Sequence, residues 1–252
     1  CCRLLCSMRR CCEINGRSDP PLPIDATNEA DYELVPATFG LLSVCTRAVV
    51  SGIFNFAESM FPEFVRFSRQ EKWALAVRFH NRFIGLDGCY RAEKIFPDDM
   101  GKCMITYTSY VSADAADGFF DDCCGGKVNI EEAKKVMKSF ISRLVPPIRH
   151  AMRRMDIDSV EFHALIVLTF WFADCMQMRE GIAQVGEKYR QAVLSELQAH
   201  YRHELKQVDY ASRIGELFML IFLFDCNTDL KESSEIYRLL GVFEDNDFVY
   251  RL

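Results

Sequence analysis

Five histidines and twelve cysteines are the side chains of this 252-residue chain best suited to chemistry. The histidines are His80, His150, His163, His200 and His203. None falls in HExxH or another zinc-ligand spacing. His163 follows Phe162 in an apolar stretch and reads as a satisfied core histidine. His200 and His203 lie near the end of a helical pattern, where they meet its dipole. Cys123 and Cys124 beside Gly125 and Gly126 have the types of a reactive pair, but adjacent cysteines in a glycine loop read as exposed thiols. No GxSxG, P-loop or GxGxxG occurs. With no nucleophile, base and orienting group jointly visible, an enzyme is not expected.

The cysteines are unevenly placed. Cys1, Cys2, Cys6, Cys11 and Cys12 crowd the first sixteen residues. Cys45, Cys89, Cys103, Cys175 and Cys226 are scattered and read as reduced, buried small hydrophobes of an intracellular protein. The first residue is Cys rather than Met and no long apolar stretch follows it, so the expectation is a fragment that begins inside a longer protein, with no signal peptide. The first sixteen residues carry Arg3, Arg9 and Arg10 against Glu13, which puts a small basic appendage on an acidic body, in a chain whose net charge as a whole is -6. That balance excludes a chain that is basic throughout and binds nucleic acid by charge alone. The apolar runs Phe162–Met176 and Leu217–Phe224 fall short of the roughly 20 residues a membrane span needs, so no membrane partner is expected.

The pattern that must position these residues is helical. Asn15–Pro36, with Gly16, Asp19, Pro20, Pro21 and Pro23, reads as a linker. Beyond it, Cys45, Val49, Ile53, Phe56 and Met60 repeat at helical steps until Pro62. Ser68 with Glu71 forms a capping box that opens a helix lined by Leu75, Phe79, Phe83, Leu86 and Tyr90. Met104–Val111, β-branched and aromatic, is the one convincing strand. Asn129 caps a further helix running to Pro146–Pro147, a pair that sits at a helix start or forces a bend. Asp158 with Glu161 opens the next helix, through Trp171. Ile182, Val185, Tyr189, Val193 and Leu197 line a long helix ending at His200–Lys206. Ile214, Leu217, Ile221 and Phe224 line another, whose pattern can be followed to Leu240. The expected fold is all-α: a three-layer antiparallel helical sandwich of about ten helices with one small β-hairpin.

Phe61–Leu75, FPEFVRFSRQEKWAL, is the most specific stretch. A helix ends at a proline, Phe64 and Phe67 follow at fixed spacing, then Glu71, Lys72 and Leu75. This resembles the diagnostic stretch of the nuclear receptor ligand-binding domain, and Phe-Pro-Glu-Phe is similar to the divergent receptor group expanded in nematodes. The resemblance extends in element order from Pro36 to Leu252. It implies residues 36–252 as the ligand-binding domain, 17–35 as the hinge, and 1–16 as the end of a zinc-finger DNA-binding domain. Cys6-Ser-Met-Arg-Arg-Cys11 is similar to the close of that domain, with Cys6 at its last zinc ligand. The preceding ligand should lie three residues upstream, where Arg3 stands, and four ligands in two pairs are needed, so no metal or other cofactor is expected in this chain. Zinc belongs to the full-length protein where the DNA-binding domain is complete.

The implied function is that of a ligand-regulated or orphan nuclear receptor, a transcription regulator in the nucleus and not an enzyme. The alternatives are a ligandless interaction and dimerisation module of the same fold, or a helical enzyme in which His163 and a Cys or acid converge. The implied pocket wall is Val49, Ile53, Phe56, Leu86, Cys89 and Met104. Arg91 matches the position where many receptors meet a ligand carboxylate, or else it is a helix-end Arg on backbone carbonyls. The implied coregulator groove involves Ser59, Phe64, Lys72, Phe248 and Arg251. There the family holds a partner helix between a Lys and a Glu at its two ends. Here those positions fall at Ser59 and Arg251, so both clamp charges are missing. Implied partners are a small lipophilic ligand, coregulator peptides, a second receptor through the helix near Tyr210–Phe224, and DNA only through the missing domain. A ligand or partner would act by favouring one placement of Asp245–Leu252.

Overall fold

The computed structural model describes residues 34–106, 108–123, 129–172, 178–207, 209–224, 235–240 and 242. The N-terminal cysteine cluster with Cys6, most of the linker, Cys124, Cys175, Cys226 and the terminal segment with Phe248 and Arg251 lie outside the described residues.

Helix α1 (Phe39–Met60) starts at Thr38, whose hydroxyl accepts from the Leu41 N–H. Cys45, Val49, Ile53 and Phe56 are buried as the stripe predicts, but Met60 is 48% exposed, so the buried face ends a turn early. This helix is long and apolar enough to cross a membrane by length and composition, with mean hydropathy 1.5. Its apolar stripe instead enters the protein core. Pro62 ends it and starts a 3-10 turn, Pro62–Arg66. Helix α2 (Arg69–Ile95) opens with the expected capping box: Ser68 Oγ accepts from the Glu71 N–H, and Glu71 Oε2 accepts from the Ser68 N–H at 2.8 Å. α2 runs through the middle of the molecule, against α1 and three elements that follow it. Being covered on several sides, it buries Arg82, Asp87 and Arg91 as well as Leu75, Phe79, Phe83 and Leu86.

The strand expected over Met104–Val111 is two short strands, β2 (Cys103–Met104) and β3 (Ser109–Val111), paired antiparallel with Met104 opposite Tyr110. Thr106 breaks the run: its hydroxyl accepts from the N–H groups of Thr108 and Ser109 and turns the chain. Val35–Pro36, read as linker, forms β1, parallel to β3 at the sheet edge, where a proline is tolerated. Gly88 is required where α2 meets β2, since a Cβ there would lie 2.1 Å from the Met104 carbonyl oxygen.

Helix α3 (Ile130–Met155) holds both Pro146 and Pro147 inside one helix, neither starting nor ending it. Its Arg149 is wholly buried and satisfies the end of α2. Nε donates to Glu93 at 2.8 Å and Nη2 donates to the Ala92 and Phe96 carbonyls at 2.9 and 2.7 Å. Nη1 donates to the carbonyls of Asp99 and Lys102. Carbonyls that a helix end leaves without partners thus find one guanidinium. Helix α4 (Ser159–Phe170) packs on α2 and on α5 (Glu180–Ala199), which widens into a π turn, His200–Glu204. Helix α6 (Ala211–Leu223) packs on α3 and α4 and ends at Phe224 rather than running to Leu240; residues 235–239 are helical separately. The fold is predominantly helical with one small sheet.

Candidate functional site

Val49, Ile53 and Phe56 on α1, Leu86 and Cys89 on α2, and Met104 on β2 are all buried, so the structure gathers the sequence-derived pocket wall into the interior. Phe56 is already engaged: it stacks on Phe79 and meets Phe61 and Phe170 edge to face. Cys89 lies 3.8 Å from Cys103, sulfur to sulfur; that neighbour together with burial pushes its thiol pKa up, which leaves it a poor nucleophile.

Arg91 corrects an expectation. A guanidinium waiting for a ligand carboxylate should be buried without a counter-charge. Arg91 is buried, but its Nε donates to Asp87 Oδ2 at 2.8 Å, its Nη2 lies 2.8 Å from the same oxygen, and its Nη1 donates to the Thr106 carbonyl. Asp87 sits one turn earlier on the same helix face, the i,i+4 spacing at which opposite charges meet. The cation is spent on α2 and on the turn before β3. His163, expected in the core, is exposed, while His80 and His200 are buried; burial pushes the His80 pKa down to about 4 and keeps that ring neutral.

The groove residues that are described come together where α1 ends and α2 begins. Ser59 is exposed and donates to the Phe56 carbonyl. Lys72 Nζ is 3.2 Å from Glu58 Oε1 and 5.3 Å from the centre of the Phe64 ring. Phe64 is fully buried beneath, so it supports the surface and does not line it. Sequence reasoning missed Glu58, Met60, Val65 and Trp73. The last three are 48%, 59% and 36% exposed, on the same stretch of chain, from the end of α1 to the start of α2, that carries the Lys72–Glu58 pair. Trp73 is held by stacking on Phe54, which in turn contacts Phe64. Exposed Trp beside exposed Met and Val is the composition of a protein-binding surface. Spacing around Pro62 points to Ser59 but carries no signal that Val65 is exposed, and Met60 reads as the last position of the α1 stripe.

Below this surface is an aromatic cluster. The Phe61 ring lies 5.0–5.1 Å from Phe170 and Trp171 and 4.7 Å from Tyr189. Glu63 fastens the 3-10 turn to α5 by accepting from Lys188 and from the Tyr189 hydroxyl at 2.6 Å; these bonds hold its pKa down to about 2.

Residues 34–243 match the profile described as the ligand-binding domain of nuclear hormone receptor. Three proteins of Caenorhabditis elegans are similar. The "High zinc activated nuclear receptor protein" is 23% identical over 216 residues, 84% of this chain and 52% of that protein. Nuclear hormone receptor family member nhr-12 is 25% identical over 73% of this chain and 40% of its own length. Family member nhr-43 is 22% identical over 84% of this chain and 45% of its own length. The chain thus spans about half the length, or less, of the curated relatives it matches. These are receptors that regulate transcription, not enzymes. A profile match running from β1 past the last described helix, over the proline-ended α1, the Ser68-capped α2 and the small sheet packed on α2, places this chain in the nuclear hormone receptor family, within its ligand-binding domain.

Proposed function

We propose that the chain serves a nuclear transcription regulator by engaging a coregulator helix at the α1–α2 junction and a second receptor along α6, under the control of a neutral lipophilic ligand. The observation that carries this is the exposed Met60, Val65 and Trp73 on the stretch of chain that carries the Lys72–Glu58 pair, over a rigid aromatic base. The ligand is argued to be neutral because the proposed wall is apolar and its one cation, Arg91, is already balanced by Asp87. Exposed Met219, Phe222 and Leu223 on one face of α6 suit a second receptor subunit. Zinc, which the name of one relative mentions, is not carried over as a ligand: among the described residues no group of three or more His, Cys, Asp or Glu side chains is arranged to hold a metal ion. Cys6 would hold zinc only within a complete DNA-binding domain, through which DNA would be bound.

The test is binding of a labelled Leu-rich amphipathic peptide to the purified domain. With Ser59 and Arg251 at the clamp positions, the peptide gains neither charge-to-dipole contact, each worth about 0.3–1 kcal/mol when exposed and up to about 2 when partly buried. The unchanged protein should bind weakly, and Ser59→Lys with Arg251→Glu should tighten binding roughly ten-fold or more. Tight binding by the unchanged protein, or no gain from the double change, would overturn the clamp assignment. Loss of binding on Trp73→Ala would place the peptide on the proposed patch.

A further inference from the structure

His200 sits at the end of α5, 8% exposed, with a carboxylate on each ring nitrogen. Nε2 is 2.8 Å from Asp158 Oδ2, and Nδ1 is 2.8 Å from Glu204 Oε2. An ionised carboxylate only accepts hydrogen bonds, and a neutral imidazole has one N–H to give. Both contacts can therefore be hydrogen bonds together only when the ring carries both protons.

The two acceptors differ. Asp158 is the N-cap of α4, outside the π turn: its Oδ1 accepts from the Glu161 N–H at 2.8 Å, and its own N–H donates back to Glu161. Glu204 belongs to the π turn itself, with its side chain 69% exposed and no partner other than His200 among the described contacts. Beyond Asp158 lie the remaining charged groups of the junction. Glu161, 2% exposed, accepts from Arg213 of α6 and from the Tyr201 hydroxyl. Arg202 lies over the Tyr210 ring. The turn His200–Glu204 and the left-handed Lys206 after it form the joint that leads α5 into α6.

We propose that His200 is a proton-operated latch on this joint. Protonated, it closes the π turn by holding Glu204 while anchored to Asp158 at the head of α4. On losing a proton it keeps the pinned Asp158 and releases the exposed Glu204, and the turn opens. Burial disfavours the imidazolium, but the bonds and charges of the two carboxylates outweigh it and raise the His200 pKa above the ordinary imidazole range. The transition is thereby moved up from where a free imidazole titrates, not down.

The experiment follows the histidine ring resonances and the amide protection factors of residues 200–207 from pH 5.5 to 9 in the whole chain. His200→Gln assigns the resonance. Glu204→Gln keeps the surface, and its amide can pair with a neutral ring as well as a charged one. The expected result is one resonance titrating above ~6.5 that is absent in His200→Gln, with protection of the turn falling several-fold through the same pH in the unchanged protein. In Glu204→Gln that resonance should move down and the turn should lose its pH dependence. A His200 titration at or below the ordinary value, or protection that is constant with pH in the unchanged protein, would overturn the latch. So would the same pH profile in the unchanged protein and in Glu204→Gln. None of these readouts depends on ligand, coregulator or dimer.

Discussion

The two ends of α4 hold the molecule together by opposite means. At its C-terminal end, Phe170 and Trp171 enter the cluster of Phe56, Phe61, Phe64 and Phe79, with ring centres mostly 5–6 Å apart. At its N-terminal end, twelve residues earlier, Asp158 and Glu161 gather His200, Tyr201 and Arg213 into a buried polar network. The first end is stabilised by apolar area and dispersion, which depend little on pH or salt. The second depends on which groups carry protons. Partner geometry at the aromatic end is tolerant of small shifts, whereas the carboxylate Glu161, removed from water, must keep its partners.

The largest effect should come from the aromatic end. Phe170→Ala removes a ring that contacts Phe56, Phe61, Phe64, Phe79 and Trp171. The expected loss is about 3–5 kcal/mol, the cost of deleting a buried aromatic and leaving a cavity. Urea unfolding at pH 6 and pH 8.5 should give the same loss. A loss that changes with pH would mean the two ends are not independent.

Next comes Glu161→Gln. The amide keeps an acceptor for the Tyr201 hydroxyl but withdraws the charge facing Arg213, which is only 22% exposed in its side chain. Removing one partner of a buried pair costs about 3–5 kcal/mol, and partial exposure of Arg213 puts the expectation at about 3 or below. A double-mutant cycle with Arg213→Gln measures the coupling directly. Additive losses would reduce the network to separate contacts and remove the contrast with the aromatic end.

Much of this was legible in the sequence where the interactions are local. Both capping boxes, Ser68–Glu71 and Asp158–Glu161, are three-residue spacings, and both form. The stripe Leu75, Phe79, Phe83 and Leu86 marks buried positions of α2. Pro62 ends α1 as its chemistry requires. What the sequence hides is the partner at long range. Nothing near Glu161 points to Arg213, 52 residues on, and nothing near Arg149 points to the end of α2, 53 to 57 residues earlier. His163 differs from its core reading because an apolar neighbourhood in sequence is not a buried position: Phe162 and Ala164 turn inward and His163 points out between them. For Arg91 the family position leaves two readings open, a ligand carboxylate or backbone carbonyls, and the Asp87 four residues before it, at the i,i+4 spacing, takes the charge. Met60 closes the apolar stripe of α1 in sequence yet is 48% exposed, since periodicity cannot tell an apolar residue that is buried from one left at the surface.

The smallest effects sharpen the comparison most, because two chemically similar caps sit in different surroundings. Ser68→Ala and Asp158→Ala each remove the acceptor for a first-turn N–H, worth about 1 kcal/mol and within about 0.5–2. Ser68 is exposed and touches no histidine in its box, so its loss should be flat between pH 6 and 8.5. Asp158 also accepts from His200, whose pKa in the folded protein is raised above its unfolded value. A raised pKa contributes stability that is fully present below the unfolded value of ~6.5 and fades as pH rises through the folded one. Asp158→Ala should therefore cost more than Ser68→Ala at pH 6, with the gap narrowing towards pH 8.5 as the charge-assisted bond becomes a neutral one. Thermal melts of the two variants and the parent across that range read the gap directly. A gap that stays constant or widens with pH would show that Asp158 holds His200 as a neutral ring, and the polar end of α4 would then be as indifferent to protons as the aromatic one.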